Sequence, residues 1–383
     1  MTLQYLPLPG FTEPRLEGSP RLVPFIKWPG GKSQELPAIA AAAPTLTGRL
    51  IDPFVGGGAV LLATPAEVPA WANDASPDLI AVYRAAASRE VGFRRAADAI
   101  AGLWNDLGAL TGFYSGLAES FSRGLPAVTS AVVDRSESTL RSLVAAAGPG
   151  LATLFLLRLE RDLLAKFDRM RKVEARAGVS LPQADLLANV EGAVRSALYV
   201  SVRSRYNRAR LTGTWDPVRL ADFLFLREFT FAAMFRFNAR DEFNVPYGGI
   251  TYNRKSLQEK VRLLFSEQMS ARLSNTEWRR GDFEPFLAEA SPGAEDLVFV
   301  DPPYDSEFSD YDNRGFGWQD QRRLREALET LPARVMIVIK DTPMVRRLYR
   351  SARWRTIETD KTYMWTIKSR NDRAATHLTI TNY

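Results

Sequence analysis

Asp301-Pro302-Pro303-Tyr304 directly follows an apolar run and combines groups that can act on an amino group. Two consecutive prolines restrict the backbone to an extended loop with few N–H donors, so its carbonyl oxygens point outward. The carboxylate and a carbonyl can then accept both N–H bonds of an exocyclic amino group, such as that of adenine, while the tyrosine stacks on the base. We therefore predict that these four residues form a catalytic loop.

A glycine-rich motif, Asp52-Pro53-Phe54-Val55-Gly56-Gly57-Gly58, follows the short apolar run Leu50-Ile51. Glycines at the end of a strand let the backbone approach a ligand closely. Asp74 stands 22 residues after Asp52, and a carboxylate at the end of the next strand can accept both hydrogen bonds of a ribose diol. The dinucleotide fingerprint is incomplete because Leu61 replaces its third glycine, but the spacing suits a nucleoside cofactor.

The run Gly30-Gly31-Lys32-Ser33 resembles the end of a phosphate-binding loop. Such a loop needs an earlier glycine, because its backbone must wrap around the phosphates. Ile26 occupies that position. A nucleotide hydrolase is therefore disfavoured, and the local pattern alone indicates a turn before a helix.

Composition excludes several other catalytic classes. The 383 residues include no cysteine and one histidine, His377, which excludes a cysteine nucleophile, a disulfide framework and a cluster of histidine metal ligands. We expect no metal. Lysine and arginine exceed aspartate and glutamate by 50 to 44, which is compatible with a nucleic-acid partner. No apolar run approaches the roughly 18 residues of a membrane span, so we expect a cytoplasmic protein.

The two loops need a scaffold that brings strand ends together. Leu50-Ile51, residues 296–300 and residues 334–339 are apolar runs typical of strands covered on both faces. Each leads into a loop and then a helical pattern, which predicts an α/β sheet with crossover helices.

The middle of the chain has a different character. From about Pro77 to Leu226 it is rich in alanine, leucine and arginine, and Leu151–Ala175 has the apolar spacing of an amphipathic helix. We predict a helical module inserted into the sheet domain. The chain would leave the sheet near residue 85 and return near residues 255 to 280.

Residues 195–210 contain five arginines, two tyrosines and no acidic residue. Arginine binds phosphates bidentately, and tyrosine can contact sugars or stack on bases. One interpretation of this charge run is therefore a contact with nucleic acid. The other is a solvated helix face.

Six motifs in this order resemble those of the Dam-type (α-group) adenine-N6 DNA methyltransferases. They are FIKWPGGK at 25–32, DPFVGGGAV at 52–60, NDAS at 73–76, FNVPYGG at 243–249, GDF at 281–283 and DPPY at 301–304. The terminal LTITNY is also similar. The resemblance implies a Rossmann-like methyltransferase sheet, S-adenosylmethionine as cofactor, and double-stranded DNA with a flipped adenine as substrate.

The resemblance also implies roles for individual residues. Trp28 and Lys32 match residues at the methionine end of the cofactor, Asp74 matches the acid that binds the ribose, and Phe283 matches a residue near the cofactor adenine. The implied cofactor-binding residues are Trp28, Lys32, Asp52, Phe54, Gly56, Gly58, Asp74, Asp282, Phe283 and Asp301. The implied DNA-binding residues are Arg203, Arg205, Tyr206, Asn207, Arg236, Asn238, Asn244 and Tyr247.

The sequence departs from the family at two places. Ile339-Lys340-Asp341-Thr342 stands where the family commonly has Ser-Asn-x-Asp, and His377 stands about where many members have a glutamate before the final strand. The insert at residues 86–198 is longer than in a compact member. The target sequence is therefore not predicted.

We predict three parts: an N-terminal arm at residues 1–22, a catalytic domain at 23–85 and 256–383, and a helical target-recognition region at 86–255 with a hairpin near 236–250. Two alternatives stay open. One is an N4-cytosine methyltransferase, although Asp301 favours adenine. The other is a non-catalytic DNA-binding protein with a decayed cofactor site, which the intact glycine loop and Asp74 disfavour.

Overall fold

The computed structural model describes residues 22–123, 126–303, 316–362 and 374–383. The predicted arm at 1–22, except for its last residue, lies outside the described residues, and so does Tyr304. Contacts divide the chain into two compact units, Met1–Arg89 with Leu263–Tyr383 (unit 1) and Glu90–Arg262 (unit 2).

The described part of unit 1 contains a seven-stranded sheet in the order β3-β2-β1-β4-β5-β7-β6. Strands β1 to β5 run parallel, and β7 is antiparallel to both of its neighbours. This confirms the predicted Rossmann-like methyltransferase sheet. The strands are β1 Leu50–Asp52, β2 Ala70–Asp74, β3 Thr276–Arg280, β4 Leu297–Val300, β5 Arg334–Lys340, β6 Arg355–Thr362 and β7 Ala374–Thr381.

Helices connect the strands and form most of unit 2. In chain order they are α1 Leu36–Ala42, α2 Ala59–Ala63, α3 Pro77–Ala87, α4 Val91–Gly108, α5 Thr111–Arg123, α6 Pro126–Ala145, α7 Leu151–Ala177, α8 Gln183–Leu211, α9 Pro217–Phe229, α10 Gln258–Leu264, α11 Glu267–Ser274, α12 Phe283–Ala290, α13 Trp318–Glu329 and α14 Pro343–Leu348.

The centre of the sheet is apolar, as its sequence predicted. All four side chains of β4 are buried, and so are the five central side chains of β5. Val298 and Val300 share a core cluster with Leu287 of α12 and Leu324 of α13. Each such side chain contributes roughly 1.5 to 3 kcal/mol when it is removed from water.

The order of the strands reverses between β1 and β4. From β1 the chain continues outward to β2 and β3, and it then returns to β4 on the other side of β1. Ligands bind outside the carboxyl ends of the strands at such a switch point. Asp52 ends β1 and Asp301 follows β4, so both predicted loops begin there.

Unit 2 is built mainly of helices. Helix α7 covers the predicted residues 151–175 and buries Phe155, Leu159, Leu163 and Phe167, one in each turn. Glycines with positive φ, Gly150 and Gly178, flank the helix at its two ends. Among the described residues, no helix is both long enough and apolar enough to cross a membrane.

Candidate functional site

At two positions, the glycine loop after β1 has no room for a side chain. Gly56 and Gly58 have φ values of +48° and +71°, which side-chain-bearing residues rarely adopt. A Cβ atom at Gly56 would lie 2.7 Å from Cδ1 of Trp28, and one at Gly58 would lie 2.7 Å from the hydroxyl of Tyr83. Both glycines are therefore required for this loop, and Trp28 lies against it.

Asp74, at the end of β2, contacts the same loop. Its Oδ2 accepts a hydrogen bond from the backbone N–H of Gly56 at 3.1 Å, and its Oδ1 accepts one from Ser76 at 2.8 Å. Burial raises the pKa of this carboxyl to about 6, although the two backbone donors oppose the shift. Each carboxylate oxygen can accept a further hydrogen bond, so the two oxygens of Asp74 suit the two hydroxyls of a diol.

Asp52 places a second carboxylate beneath the loop. It is 2% exposed and accepts a hydrogen bond from the N–H of Phe54 at 3.1 Å. Its pKa lies well above the usual value, chiefly because of burial, and the negative charges of Asp301 and Asp74 raise it further. The charge of Lys32 opposes this shift. Three carboxylates and one ammonium thus form a single electrostatic cluster at the switch point.

Lys32 forms an ion pair with the predicted catalytic aspartate. Its Nζ lies 2.6 Å from Oδ1 of Asp301, and the two side chains are 2% and 19% exposed. The ammonium also donates to the carbonyl of Gly30 at 2.9 Å. A buried charge is costly unless it is paired and hydrogen-bonded, so the pair fixes the position of Asp301.

The turn that places Lys32 follows from its glycines and from the helix after it. Gly30 has a φ of +77°, and the N–H of Gly31 donates to the carbonyl of Trp28 at 3.2 Å. The N–H of Glu35 donates to the carbonyl of Lys32 at 2.9 Å, just before α1 begins. The predicted turn before a helix is confirmed, whereas its ion pair with the predicted catalytic loop was not predicted.

Asp282 and Phe283 lie at the start of α12, beside the glycine loop. The ring of Phe283 lies 5.5 Å from that of Phe54. Asp282 accepts a hydrogen bond from the N–H of Glu284 at 2.9 Å and pairs with Arg323 of α13 at 2.8 Å. The structure thus brings together all the predicted cofactor-binding residues. It also adds Arg323 to the site. Arg323 lies within a helix, and nothing in the sequence around it predicts this contact.

Two further residues support the cluster, and neither was predicted from the sequence. Asn73 donates to the carbonyls of Pro53 and Gly281, both at 3.0 Å, and so connects the glycine loop to the end of β3. Tyr83 donates to the carbonyl of Gly56 at 3.0 Å and stacks on Trp278. Asn73 lies within the NDAS motif, whereas nothing local singles out Tyr83.

The single histidine is part of the core of unit 1. His377 lies within β7 rather than before the final strand, and its Nδ1 is 2.6 Å from Oε2 of Glu35. The two side chains are 1% and 8% exposed.

At the other departure from the family, Asp341 pairs with Arg346 at 2.7 Å and Thr342 caps α14.

Replacing His377 by alanine should destabilise unit 1 by about 2 to 3 kcal/mol, because the buried Glu35 carboxylate loses this donor. Urea unfolding at neutral pH measures the change. His377→Gln retains an N–H donor and should lose less. Wild-type stability in His377→Ala would show that the pair contributes nothing.

In unit 2, three residues of α8 hold the predicted hairpin. Tyr199 and Arg203 donate to the carbonyl of Val245 at 3.0 and 2.9 Å. Asn207 donates to the carbonyl of Phe243 at 3.0 Å and accepts from its N–H at 2.8 Å. Because the three are spaced by four residues, they lie on one face of the helix. This face of α8 binds protein backbone.

Two residues predicted to bind DNA have other contacts in this structure. Tyr206 is fully buried and packs near Phe243, so the predicted DNA contact is not available to its side chain. Arg205 is 11% exposed and forms a bidentate pair with the buried Asp222, at 2.7 and 2.9 Å. The charge run of residues 195–210 is therefore largely internal, contrary to a purely DNA-facing interpretation.

The hairpin itself carries the other predicted DNA-binding residues. Isolated antiparallel bridges join Phe237 to Phe243 and Thr230 to Tyr247. The remaining side chains are partly exposed and hydrogen-bonded within the segment: Arg236 to Asn244 at 3.1 Å, Asn238 to Glu242 at 2.9 Å, and Tyr247 to Asn253 at 2.8 Å.

The segment that enters the hairpin has two features that were not predicted from the sequence. Ala232 and Ala233 both have positive φ values, 52° and 54°. The fully buried Arg227 donates to the carbonyls of Ala233 and Met234, both at 3.0 Å, and so holds this unusual backbone. Phe231, beside it, is 46% exposed.

Comparison with known proteins agrees with this geometry. The family model of the D12 class N6 adenine-specific DNA methyltransferases matches residues 28–118 and 183–363. The chain is 24% identical to the type II methyltransferase M1.LlaDCHI of Lactococcus lactis subsp. cremoris, over 94% of this chain and 96% of that protein. It is 30% identical to the type II methyltransferase M.CviBI of Paramecium bursaria Chlorella virus NC1A, over 49% and 72%. It is 29% identical to the retron Ec67 DNA adenine methylase of Escherichia coli, over 47% and 60%.

Proposed function

The chain belongs to the D12 class of N6 adenine-specific DNA methyltransferases, and we propose that unit 1 transfers the methyl group of S-adenosylmethionine to a flipped adenine while unit 2 binds the DNA. The observation that carries the proposal is the switch-point cluster. There the glycine loop and Asp74 lie beside an Asp301 that is held 2.6 Å from Lys32.

The residues present fit the proposed cofactor. Gly56 and Gly58 leave the backbone open where side chains would collide with Trp28 and Tyr83. The Asp74 carboxylate suits the ribose diol, and Phe54 and Phe283 provide apolar surface for a base. When bound, S-adenosylmethionine supplies an electrophilic methyl group. This chemistry needs no cysteine, whether the compartment is reducing or oxidising.

Asp301 and the carbonyl of Pro302 would accept the two N–H bonds of the adenine amino group. The lone pair of that nitrogen is delocalised into the ring, and acceptance of both hydrogen bonds favours a pyramidal nitrogen that can attack. The base must leave the helix to reach a carboxylate at the edge of a sheet. The contribution of the protein is therefore position and electrostatics, both set by the ion pair with Lys32.

Unit 2 would contact DNA through the hairpin. Arg236 and Asn244 are partly exposed there, and either can contact phosphates or base edges. Arg203 and Asn207 would act indirectly, because they hold the hairpin backbone. The exposed ring of Phe231 adds a surface for stacking.

The affinity for S-adenosylmethionine should depend on pH through Asp74. Only the ionised carboxylate accepts hydrogen bonds from both hydroxyls, and the pKa of Asp74 is about 6 in the folded protein. The dissociation constant should therefore rise by up to about tenfold per pH unit below 6 and level off above 7. Calorimetry from pH 5 to 8 measures it. Asp74→Asn should bind weakly at every pH; equal pH dependence in both proteins would contradict the assignment.

The proposed reaction can be tested with a labelled methyl group. The purified protein is incubated with labelled S-adenosylmethionine and duplex DNA, and the DNA is digested to nucleosides. Label should appear in N6-methyl-2′-deoxyadenosine, and a duplex of guanine and cytosine alone should stay unlabelled. Label in cytosine would support the N4-cytosine alternative, and absence of label from all DNA would support the non-catalytic one.

A further inference from the structure

Helix α7 lies wholly outside the two ranges that the family model matches, since residues 119–182 fall between them. It packs on α6 and α8, and its apolar face is buried. The opposite side of the helix carries a group of basic residues. Neither the sheet domain nor the hairpin accounts for them. We name Arg158, Arg161, Arg169, Lys172 and Arg176 the α7 basic face.

These five cations share one side of the helix. At about 100° per residue they fall within a sector of roughly 80°, well away from the buried stripe that begins at Phe155. Arg161 and Lys172 are 68% and 67% exposed, and Arg158 is 31% exposed. Arg169 and Arg176 are also exposed.

Acidic residues neutralise only part of this face. Asp162 lies 2.7 Å from Arg158 and 3.6 Å from Arg161, and Asp168 lies 3.2 Å from Lys172. Among the residues that the structure describes, five cations therefore face two carboxylates, which leaves three positive charges in excess. Like charges also lie close together, because the charge of Arg169 adds to burial in lowering the pKa of Lys166.

One end of the face lies near α8, the helix that holds the hairpin, because α7 and α8 pack against each other. Burial lowers the pKa of Arg203, and the nearby charge of Arg158 lowers it further. Arg203 in turn donates to the carbonyl of Val245 in the hairpin. The end of the basic face at Arg158 thus lies next to the residues that hold the proposed DNA-contacting segment, and Arg176 lies about 27 Å farther along the helix axis.

We propose that the α7 basic face binds the phosphates of double-stranded DNA that flanks the stretch contacted by the hairpin. This rests on the proposed function of unit 2. A length of about 27 Å corresponds to roughly eight base pairs of duplex. The face lacks the aromatic side chains that would favour single strands, and it extends the footprint without reading sequence.

The test compares duplex lengths. The variant R161A/R169A/K172A/R176A and the wild-type protein are titrated with random-sequence duplexes of about 12 and 40 base pairs at several salt concentrations. A charge-matched control, R94A/R123A/R135A/R141A, removes exposed arginines from α4, α5 and α6. Cofactor binding by calorimetry checks that each protein is folded.

On the long duplex the variant should bind at least tenfold more weakly than the wild type. The slope of log K against log salt should fall by about 3 to 4, since the variant loses four cations and each lost phosphate contact contributes about 0.9. On the short duplex its affinity should change less than twofold, and the control should match the wild type on both. Wild-type binding of the long duplex by the variant, equal losses on both lengths, or the same loss in the control would each overturn the proposal. Failure of methyl transfer by the wild-type protein would instead count against the proposed function.

Discussion

An Asp301→Ala protein should lose at least about 10³-fold in methyl-transfer rate while it retains binding of S-adenosylmethionine at least in part. Removal of one preorganised group that stabilises developing charge costs about 10² to 10³, and Asp301 would also position the base. The glycine loop and Asp74, which would bind the cofactor, contact each other directly. This contact should therefore remain after the substitution.

Single-turnover transfer measures the rate, and calorimetry measures cofactor binding. The matched control is Glu326→Ala, which removes a carboxylate that is 60% exposed on α13 of the same unit; it should transfer methyl groups at the wild-type rate. The removal of Asp301 also deprives the buried Lys32 of one charged partner. The double variant Lys32→Met/Asp301→Ala removes both charges and should be equally inactive but more stable. Near-normal turnover by either variant would exclude Asp301 as the catalytic acceptor.

An Asp222→Ala protein should lose about 3 to 5 kcal/mol of stability, the usual result of breaking a buried ion pair. Asp222 is 1% exposed, and both of its oxygens accept from Arg205. Burial raises the pKa of Asp222 to about 6 even beside this arginine. Removing the carboxylate leaves a guanidinium that is almost fully buried, next to the hydrogen bond that Arg205 donates to Ala147.

Urea unfolding at pH 7.5 measures this loss. Arg208→Ala, on the same helix, removes an exposed arginine and should change stability by less than about 0.5 kcal/mol. If Asp222→Ala were as stable as the wild type but bound DNA differently, the arginines of α8 would face DNA after all. The pair of variants therefore separates an internal from an external interpretation of one charge run.

The sequence could predict the parts of the site that depend on local backbone. Gly56 and Gly58 adopt positive φ values at a strand end, and β4 and β5 are buried along their lengths. Such features follow from short-range sterics and apolar patterning, which the sequence shows directly. Resemblance supplied the rest of the prediction, namely the family and the roles of individual residues.

Partners far apart in the chain could not be predicted in the same way. Lys32 meets Asp301 across 269 positions, and Glu35 meets His377 across 342. The arginines of α8 illustrate the same problem. A run of like charge has the same local pattern whether it faces phosphates or, as at Arg205, a carboxylate on the next helix. Only tertiary packing decides between the two.

The most direct test of the central claim is a map of modified bases. The wild-type protein is incubated with S-adenosylmethionine and a random-sequence duplex library, and single-molecule sequencing locates every modified base. We predict N6-methyladenine at one defined sequence and none in a parallel library treated with Asp301→Ala. Methylation of cytosine, or an unmodified library in the presence of a protein that binds both DNA and cofactor, would contradict it.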